Sequence, residues 1–325
     1  MSVKLGGYDF YQSIGCPKYA MAPMVEQSEL AFRLLCKRYN TQLTYTPMFF
    51  SQSFVDDENN RKKYWQSTPD EGPLLVQFCG NDPQVLVQAG KLCLEMPHAK
   101  ESVVGIDLNL GCPQRFAQKA RIGAFLMEEQ NLIREIVSTL HRELPVPITC
   151  KIRIFKDIQH TIAYAQMIRD AGCQLLAVHG RTREQRGTVQ GLADWDAIKI
   201  VREHIKDIPV FANGNIRTLK DADDCIEHTG CEGVLSACGL LDTPALFSGV
   251  NHDNTKLALE YLELCAAHEP PEHSFMTGHV FKMLKDKVKP YNDLKVLLNT
   301  ARTRQLMKDV VVELGFREEK EKMYK

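Results

Sequence analysis

The chain of 325 residues has no apolar run long enough to cross a membrane, and its first residues, Met1 to Tyr8, carry no extended apolar stretch either. A soluble protein without a membrane partner is therefore expected. Eleven cysteines are present, but none form Cys-x-x-Cys, so zinc-knuckle and thioredoxin-like readings have no support and no metal site is expected. Scattered thiols suit a reduced compartment, the cytoplasm or the nucleus. No Gly-x-Gly-x-x-Gly follows a strand-like segment, so the chain offers no dinucleotide-binding fold of its own. A net charge of −1 excludes a protein coated in positive charge. The charge is nevertheless uneven. His273 to Val310 holds eight Lys and Arg against three acids, a local +5 that leaves −6 for the rest. An acidic body with a basic face, or a solvated helix surface, accounts equally well for that difference.

Short apolar strands recur between helix-like segments: Tyr19 to Ala22, Leu43 to Tyr45, Leu74 to Phe78, Ile106 to Leu110, Ile148 to Ile152, Leu175 to Val178, Val210 to Ala212 and Gly233 to Leu235. Eight strands, each followed by room for one helix over about 230 residues, predict a (βα)8 TIM barrel, with a doubly wound sheet as the competing topology. Asp82-Pro83 starts one helix, and the spacings of Leu132 to Leu140, His160 to Ala171 and Asp221 to His228 give others. After Pro244-Ala245-Leu246-Phe247 the strand pattern stops. Leu257 to Cys265, His279 to Leu284 and Leu294 to Val312 have helical spacing, followed by a charged tail from Arg317. The expected division is a catalytic α/β barrel over residues 1–250 and a small all-helical C-terminal domain over 251–325.

Ile106-Asp107-Leu108-Asn109-Leu110-Gly111-Cys112-Pro113 is the most informative stretch. Its period-two alternation makes a strand, and Gly111 and Pro113 end it, which puts Cys112 where a strand meets a loop. In a parallel α/β protein that edge collects ligands and chemistry. A free cysteine is also commonly a small buried hydrophobe. The following segment, with Arg115, Lys119 and Arg121 and no acid before Glu128, suits a polyanionic ligand better than a core.

The other strand ends supply Ala22-Pro23-Met24-Val25, Gln77, Lys151 and Arg153, His179-Gly180-Arg181-Thr182, Asn213-Gly214-Asn215 and Ser236-Ala237-Cys238-Gly239. So many polar groups on one rim predict a closed polar ligand site. Gln77, Asn109 and Lys151 suit the pyrimidine edge of a flavin, and Lys151 suits negative charge on its reduced form. Gly214 and Gly239 leave backbone N–H groups open to a phosphate. Pro23 and Met24 read equally well as a strand-end turn, Gln77 as a loop cap, and His179 alone as a structural histidine. A buried Lys151 is harder to explain without an anionic partner.

Leu108-Asn109-Leu110-Gly111-Cys112-Pro113 followed by Gly123-Ala124-Phe125-Leu126 resembles the signature of the tRNA-dihydrouridine synthases. Ala22-Pro23-Met24, Val76-Gln77-Phe78 with Gly80-Asn81-Asp82-Pro83, Lys151-Ile152-Arg153, Val178-His179-Gly180-Arg181-Thr182 and Asn213-Gly214-Asn215-Ile216 extend the resemblance from about residue 18 to residue 247. The helical tail is similar to that family's RNA-binding domain. The resemblance implies that Pro23, Met24, Val25, Gln77, Lys151, His179, Asn213, Gly214 and Asn215 hold FMN, with Asn109 beside flavin and substrate uracil. It also implies that NADPH or NADH is a transient reductant, that hydride reaches C6 of uridine, and that Cys112 donates the proton to C5. Many family members carry Gly-Arg-Gly where this chain has Ala237, Cys238 and Gly239, so a phosphate-binding arginine is missing and backbone donors are expected to suffice. That replacement, with Pro113-Gln114 and Phe211 to Ile216, is most similar to the eukaryotic type 1 branch, which acts on tRNA D-loop positions 16 and 17. Arg115, Lys119, Arg121, Arg153, Arg181, Arg183, Lys282, Lys285 and Arg302 are the candidate RNA contacts, and no stable protein partner is implied. A small-pyrimidine oxidoreductase resembling dihydroorotate dehydrogenase, a silent tRNA-binding protein, and an aldolase with Lys151 as Schiff base are the alternatives.

Overall fold

The computed structural model describes residues 4–323. Eight strands form the frame: β1 (Tyr19–Met21), β2 (Thr44–Tyr45), β3 (Leu74–Cys79), β4 (Val103–Leu110), β5 (Ile148–Arg153), β6 (Cys173–His179), β7 (Val210–Asn213) and β8 (Gly233–Ser236). All neighbours pair in parallel and in chain order. β8 returns to β1 with Tyr19 opposite Val234 and Met21 opposite Ser236. β1 meets β2 through the bridge Ala20 to Leu43, where the Met21 N–H donates to the Leu43 carbonyl at 2.9 Å. The sheet thus comes round into a (βα)8 barrel, with a two-residue strand, Phe49–Phe50, beside β3.

Strand parity separates two cores. Even-numbered residues such as Val76, Ile106, Leu108, Ile148, Cys150, Val178 and Ala212 face outward and pack under the helices. Odd-numbered Leu75, Leu175, Ala177, Phe211 and Leu235 face inward, where Phe10 and Tyr11 join them. Those two come from an N-terminal helix, Gly7–Ser13, whose Gly7 N–H donates to the Gln174 side chain at 2.7 Å. Gln174 lies at the start of β6, so this helix plugs the end of the barrel opposite the strand C-termini. Burying a Phe there is worth about 1.5–3 kcal/mol.

Capping chemistry starts the outer helices where the sequence places it. Asp82 Oδ1 accepts from the N–H groups of Gln84 and Val85 to begin Pro83–Leu94. Thr218 and Asp221 form a capping box at Leu219–Thr229.

Four helices follow the barrel: Asn254–Ala267, His273–Leu284, Asn292–Thr300 and Arg304–Met323. The single helical pattern expected over Leu294 to Val312 is two helices. Thr300 Oγ bonds back to the carbonyls of Val296 and Leu297, Ala301 turns extended (ψ 125°), and Thr303 Oγ accepts from the Leu306 N–H to start the next helix. The charged tail from Arg317 is helical to Met323, and Arg317 pairs with Asp293 and Glu313. The first two of these helices pack on the barrel helix Leu30–Arg38 around a buried cluster. Glu29 accepts from Tyr261 Oη at 2.7 Å and lies 2.9 Å from His279 Nε2, and the His279 ring stacks on Phe32 at 4.0 Å. Burial raises the Glu29 carboxyl, but the His279 charge and the bonds from His279 and Tyr261 outweigh that and hold it below its usual value. Among the described residues no helix is long and apolar enough to cross a membrane.

Candidate active site

At the C-terminal mouth of the barrel, side chains from adjacent strands stand in register. Gln77, Asp107 and Thr149 form one level across β3, β4 and β5, and Asn109 is opposite Lys151 one step above. Arg153, His179, Asn213 and Leu235 form the next run, across β5 to β8. The polar parity of β4 and β5 therefore points into the barrel and not to solvent.

The first level is a closed hydrogen-bond chain. Thr149 Oγ1 donates to Asp107 Oδ1 at 2.5 Å and Gln77 Nε2 to Asp107 Oδ2 at 2.7 Å. Asn109 Nδ2 donates to Gln77 Oε1 at 2.9 Å, and Asn109 Oδ1 accepts from the Gly111 and Cys112 N–H groups at 3.2 and 2.9 Å. Burial lifts the Asp107 carboxyl to about 6, against the Thr149 and Gln77 bonds and the Lys151 charge.

Lys151 is 9 % exposed, and its ammonium has no hydrogen bond or ion pair among the described residues. Burial, then repulsion by Arg153, pushes it down to about 8, partly offset by Asp107 and Cys112. His179 is held well below its usual value by burial and by Lys151, Arg153 and Arg181, so its ring is neutral. Arg181 Nη1 lies 2.9 Å from His179 Nε2; since a guanidinium only donates, Nε2 accepts and the ring proton sits on Nδ1.

Cys112 is half-buried and packs against a small cluster of Cys79, Ala117 and Ile122. Burial raises its thiol above the ordinary value, outweighing the Gln114 N–H and the charges of Arg153 and Lys151. The cations acting on the sulfur come from β5, not from the loop that follows it. The Cys112 carbonyl accepts from the Ala124 N–H at 3.1 Å, and Gly123, at φ +61°, passes so close that a Cβ there would lie 2.8 Å from that carbonyl. This contact explains a glycine eleven residues after the cysteine.

A cavity of about 260 Å³ opens between β6, β7 and β8, lined by His179, Arg181, Asn213, Gly214, Ala237 and Cys238, among others. Asn213 Nδ2 is spent on the Leu235 carbonyl at 2.8 Å, and Asn215 holds a left-handed backbone (φ 64°). Gly239 is wedged where a Cβ would lie 2.5 Å from the Ile216 carbonyl. Arg181 and Arg217 both line this cavity, Arg217 being paired with Asp242 at 3.4 Å. Pro23 and Met24 are half-buried beyond β1, and Val25 is exposed; Ser28 Oγ pins the turn by bonding the Met24 N–H and carbonyl, both at 3.1 Å.

The candidate RNA contacts divide into three groups. Arg115, Lys119 and Arg121 are exposed on or beside the short helix Arg115–Ala120 and have no ion pair among the described residues, and Arg302 is likewise exposed. Arg153 and Arg181 are buried, with their donors on carbonyls: Arg153 on Gly111, Thr182 and Gln185, Arg181 on Gly191, with a further bond to Asn215 Oδ1. Arg183 pairs with Glu128 and Glu184 over the Phe125 ring, Lys285 pairs with Asp242, and Lys282 donates to Gln27. Sequence reasoning passed over Asp107, Thr149 and Arg217. The signal for the first two was present, since each shares the parity of a chosen neighbour, Asn109 or Lys151.

The family described as Dihydrouridine synthase (Dus) matches residues 20–322. A rat protein named tRNA-dihydrouridine(16/17) synthase [NAD(P)(+)]-like is 48 % identical over 303 residues, covering 92 % of this chain and 67 % of its own length. The fission yeast Schizosaccharomyces pombe protein named tRNA-dihydrouridine(16/17) synthase [NAD(P)(+)] is 42 % identical over 308 residues, covering 90 % and 76 %. A solved 2-naphthoyl-CoA reductase complex shares the fold at TM-score 0.53 and 10 % identity, over 78 % of this chain and 50 % of that one. On the family match and these identities, the chain belongs to the dihydrouridine synthase family.

Proposed function

We propose that this protein reduces the C5=C6 bond of uridine in tRNA to dihydrouridine, at D-loop positions 16 and 17, using FMN and NAD(P)H. The observation that carries this reading is the Lys151 ammonium: buried, without a partner among the described residues, and one strand from the Asn109 that holds the Cys112 backbone. Such a charge fits the electron-rich edge of a flavin, and the cavity beside it offers the Gly214 turn to a phosphate under the positive charge of Arg181, whose donors are held by Gly191, Asn215 and His179, and of Arg217, which is paired with Asp242. When bound, FMN supplies the hydride that NAD(P)H provides and uridine C6 accepts.

The chain's own residues supply the rest. Lys151 would hold positive charge toward the flavin, and neutral His179, with its proton on Nδ1, would offer a donor. Cys112 keeps its proton at neutral pH because burial raises the thiol, and a general acid for C5 needs that form. The free cations Arg115, Lys119 and Arg121, directly after the thiol, suit the phosphates around a base turned out of the folded RNA. The positions follow the names of the rat and yeast relatives. The test is nucleoside mass spectrometry on tRNA incubated with the protein and NADPH, with Cys112→Ala in parallel. A uridine heavier by two hydrogens at positions 16 and 17, absent in the variant, is expected. An unchanged uridine with flavin-loaded protein and otherwise modified tRNA refutes it.

A further inference from the structure

Asp107 is fully buried at the root of the chain that ends on the Cys112 backbone, and the catalytic reading gives it no role. The two ends of an amide side chain are alike in shape, so only hydrogen bonding decides which way Gln77 and Asn109 face. An ionised carboxylate accepts and cannot donate. Asp107 therefore draws the NH₂ end of Gln77, at 2.7 Å, which turns Gln77 Oε1 toward Asn109. Asn109 must then give its own NH₂ end to Gln77, at 2.9 Å, and present Oδ1 to the N–H groups of Gly111 and Cys112. Each choice forces the next. With an apolar residue at the root, only the Gly111 and Cys112 N–H groups would hold Asn109, and Gln77 Nε2, left without its buried acceptor, would turn away and release the other end of the Asn109 amide.

We propose that Asp107 is a positioning residue for proton delivery: by fixing the facing of Gln77 and Asn109, it locks the Cys112 turn in register with the barrel mouth. The inference rests on the reading of Cys112 as the proton donor.

The test compares Asp107→Asn and Asp107→Leu with the unaltered protein, all as the FMN-loaded full chain. Asparagine can point Oδ1 at Gln77 and Nδ2 at Thr149 Oγ, so it keeps the order of the chain without the charge; leucine keeps the branched shape, with bulkier methyl groups, and removes the acceptor. Anaerobic stopped-flow separates flavin bleaching by NADPH from reoxidation by tRNA. Asp107→Asn is expected to stay close to the unaltered protein in both. Asp107→Leu is expected to slow reoxidation about 10²-fold through the displaced thiol while bleaching changes far less. Alkylation of Cys112 by iodoacetamide, followed on its own peptide, is expected to quicken about tenfold in the leucine variant only, as the turn loosens. Should leucine prevent folding, Asp107→Ala takes its place with the same split expected. Equal effects of Asn and Leu, or equal slowing of both half-reactions, overturn the proposal. If the unaltered protein is not reoxidised by tRNA, the functional reading fails, and the alkylation comparison still decides the role of Asp107.

Discussion

On the proposed reading, the charge state of Lys151 makes flavin affinity a function of pH, with a sign set by its burial. Burial and Arg153 hold the ammonium at about 8 against an ordinary 10.5. That gap is about 3 kcal/mol held against the charged form. A ligand that puts an acceptor or negative charge on Nζ gives part or all of it back, so the pKa in the complex lies above 8. The free protein thus loses its proton near pH 8 while the complex keeps it to higher pH, and binding is tightest below that point. With full recovery, Kd rises roughly tenfold between about pH 7 and 9. Quenching of FMN fluorescence at constant ionic strength measures this directly. Lys151→Gln is expected to bind about 10- to 100-fold more weakly near pH 7, as for loss of a charge-assisted bond, and to lose the pH slope. A flat wild-type profile, or the same slope in Lys151→Gln, refutes the assignment.

Three further outcomes are expected. Cys112→Ala retains FMN by absorbance and loses turnover about 10²- to 10⁴-fold, and in the unaltered protein the alkaline fall of reoxidation by tRNA is expected above the ordinary thiol range and not below it, since burial raises the thiol. His279→Leu leaves the Glu29 carboxylate buried with only Tyr261, costing about 3–5 kcal/mol, seen as a Tm lower by roughly 5–10 °C; because Glu29 is held below its ordinary value, its contribution is present above about pH 4.5 and is lost as pH falls, so the deficit shrinks in acid. Changing Arg115, Lys119 and Arg121 together to Gln lowers the salt slope of log Kd for tRNA by about 2 to 3, read by filter binding.

The barrel was legible because each strand combines an apolar outer parity with turn residues at its end, and those signals are local. All eight expected strands are present, and Leu74–Cys79 and Val210–Asn213 each run one residue past the expected end. Cys112 and Lys151 were legible as residue types out of place, a thiol at a strand end and a cation within a strand. Asp107 carried the same parity as Asn109, but an acid in an alternating strand reads as solvent-facing when it is taken residue by residue and not by its parity. Arg217 was not legible, because its approach to the cavity depends on the path of the turn after β7, which no spacing encodes. The break at Ala301 was hidden for a similar reason: apolar spacing runs through it, and Thr300 and Thr303 act only through their hydroxyl bonds.

The contact between the last helices and the turn after β1 has a mechanical consequence. Met24 stands at the mouth of the barrel; four residues on, Ser28 pins it, and between and beside them Gln27 and Glu29 are gripped by Lys282, Tyr261 and His279. The link is short: hydrogen bonds run directly from the helices Asn254–Ala267 and His273–Leu284 to the residues beside Met24. The C-terminal region is thus packed as a wall against the barrel mouth. Cutting the chain at residue 250 would strip that wall away, leaving a charged Glu29 and the face of Phe32 open to water.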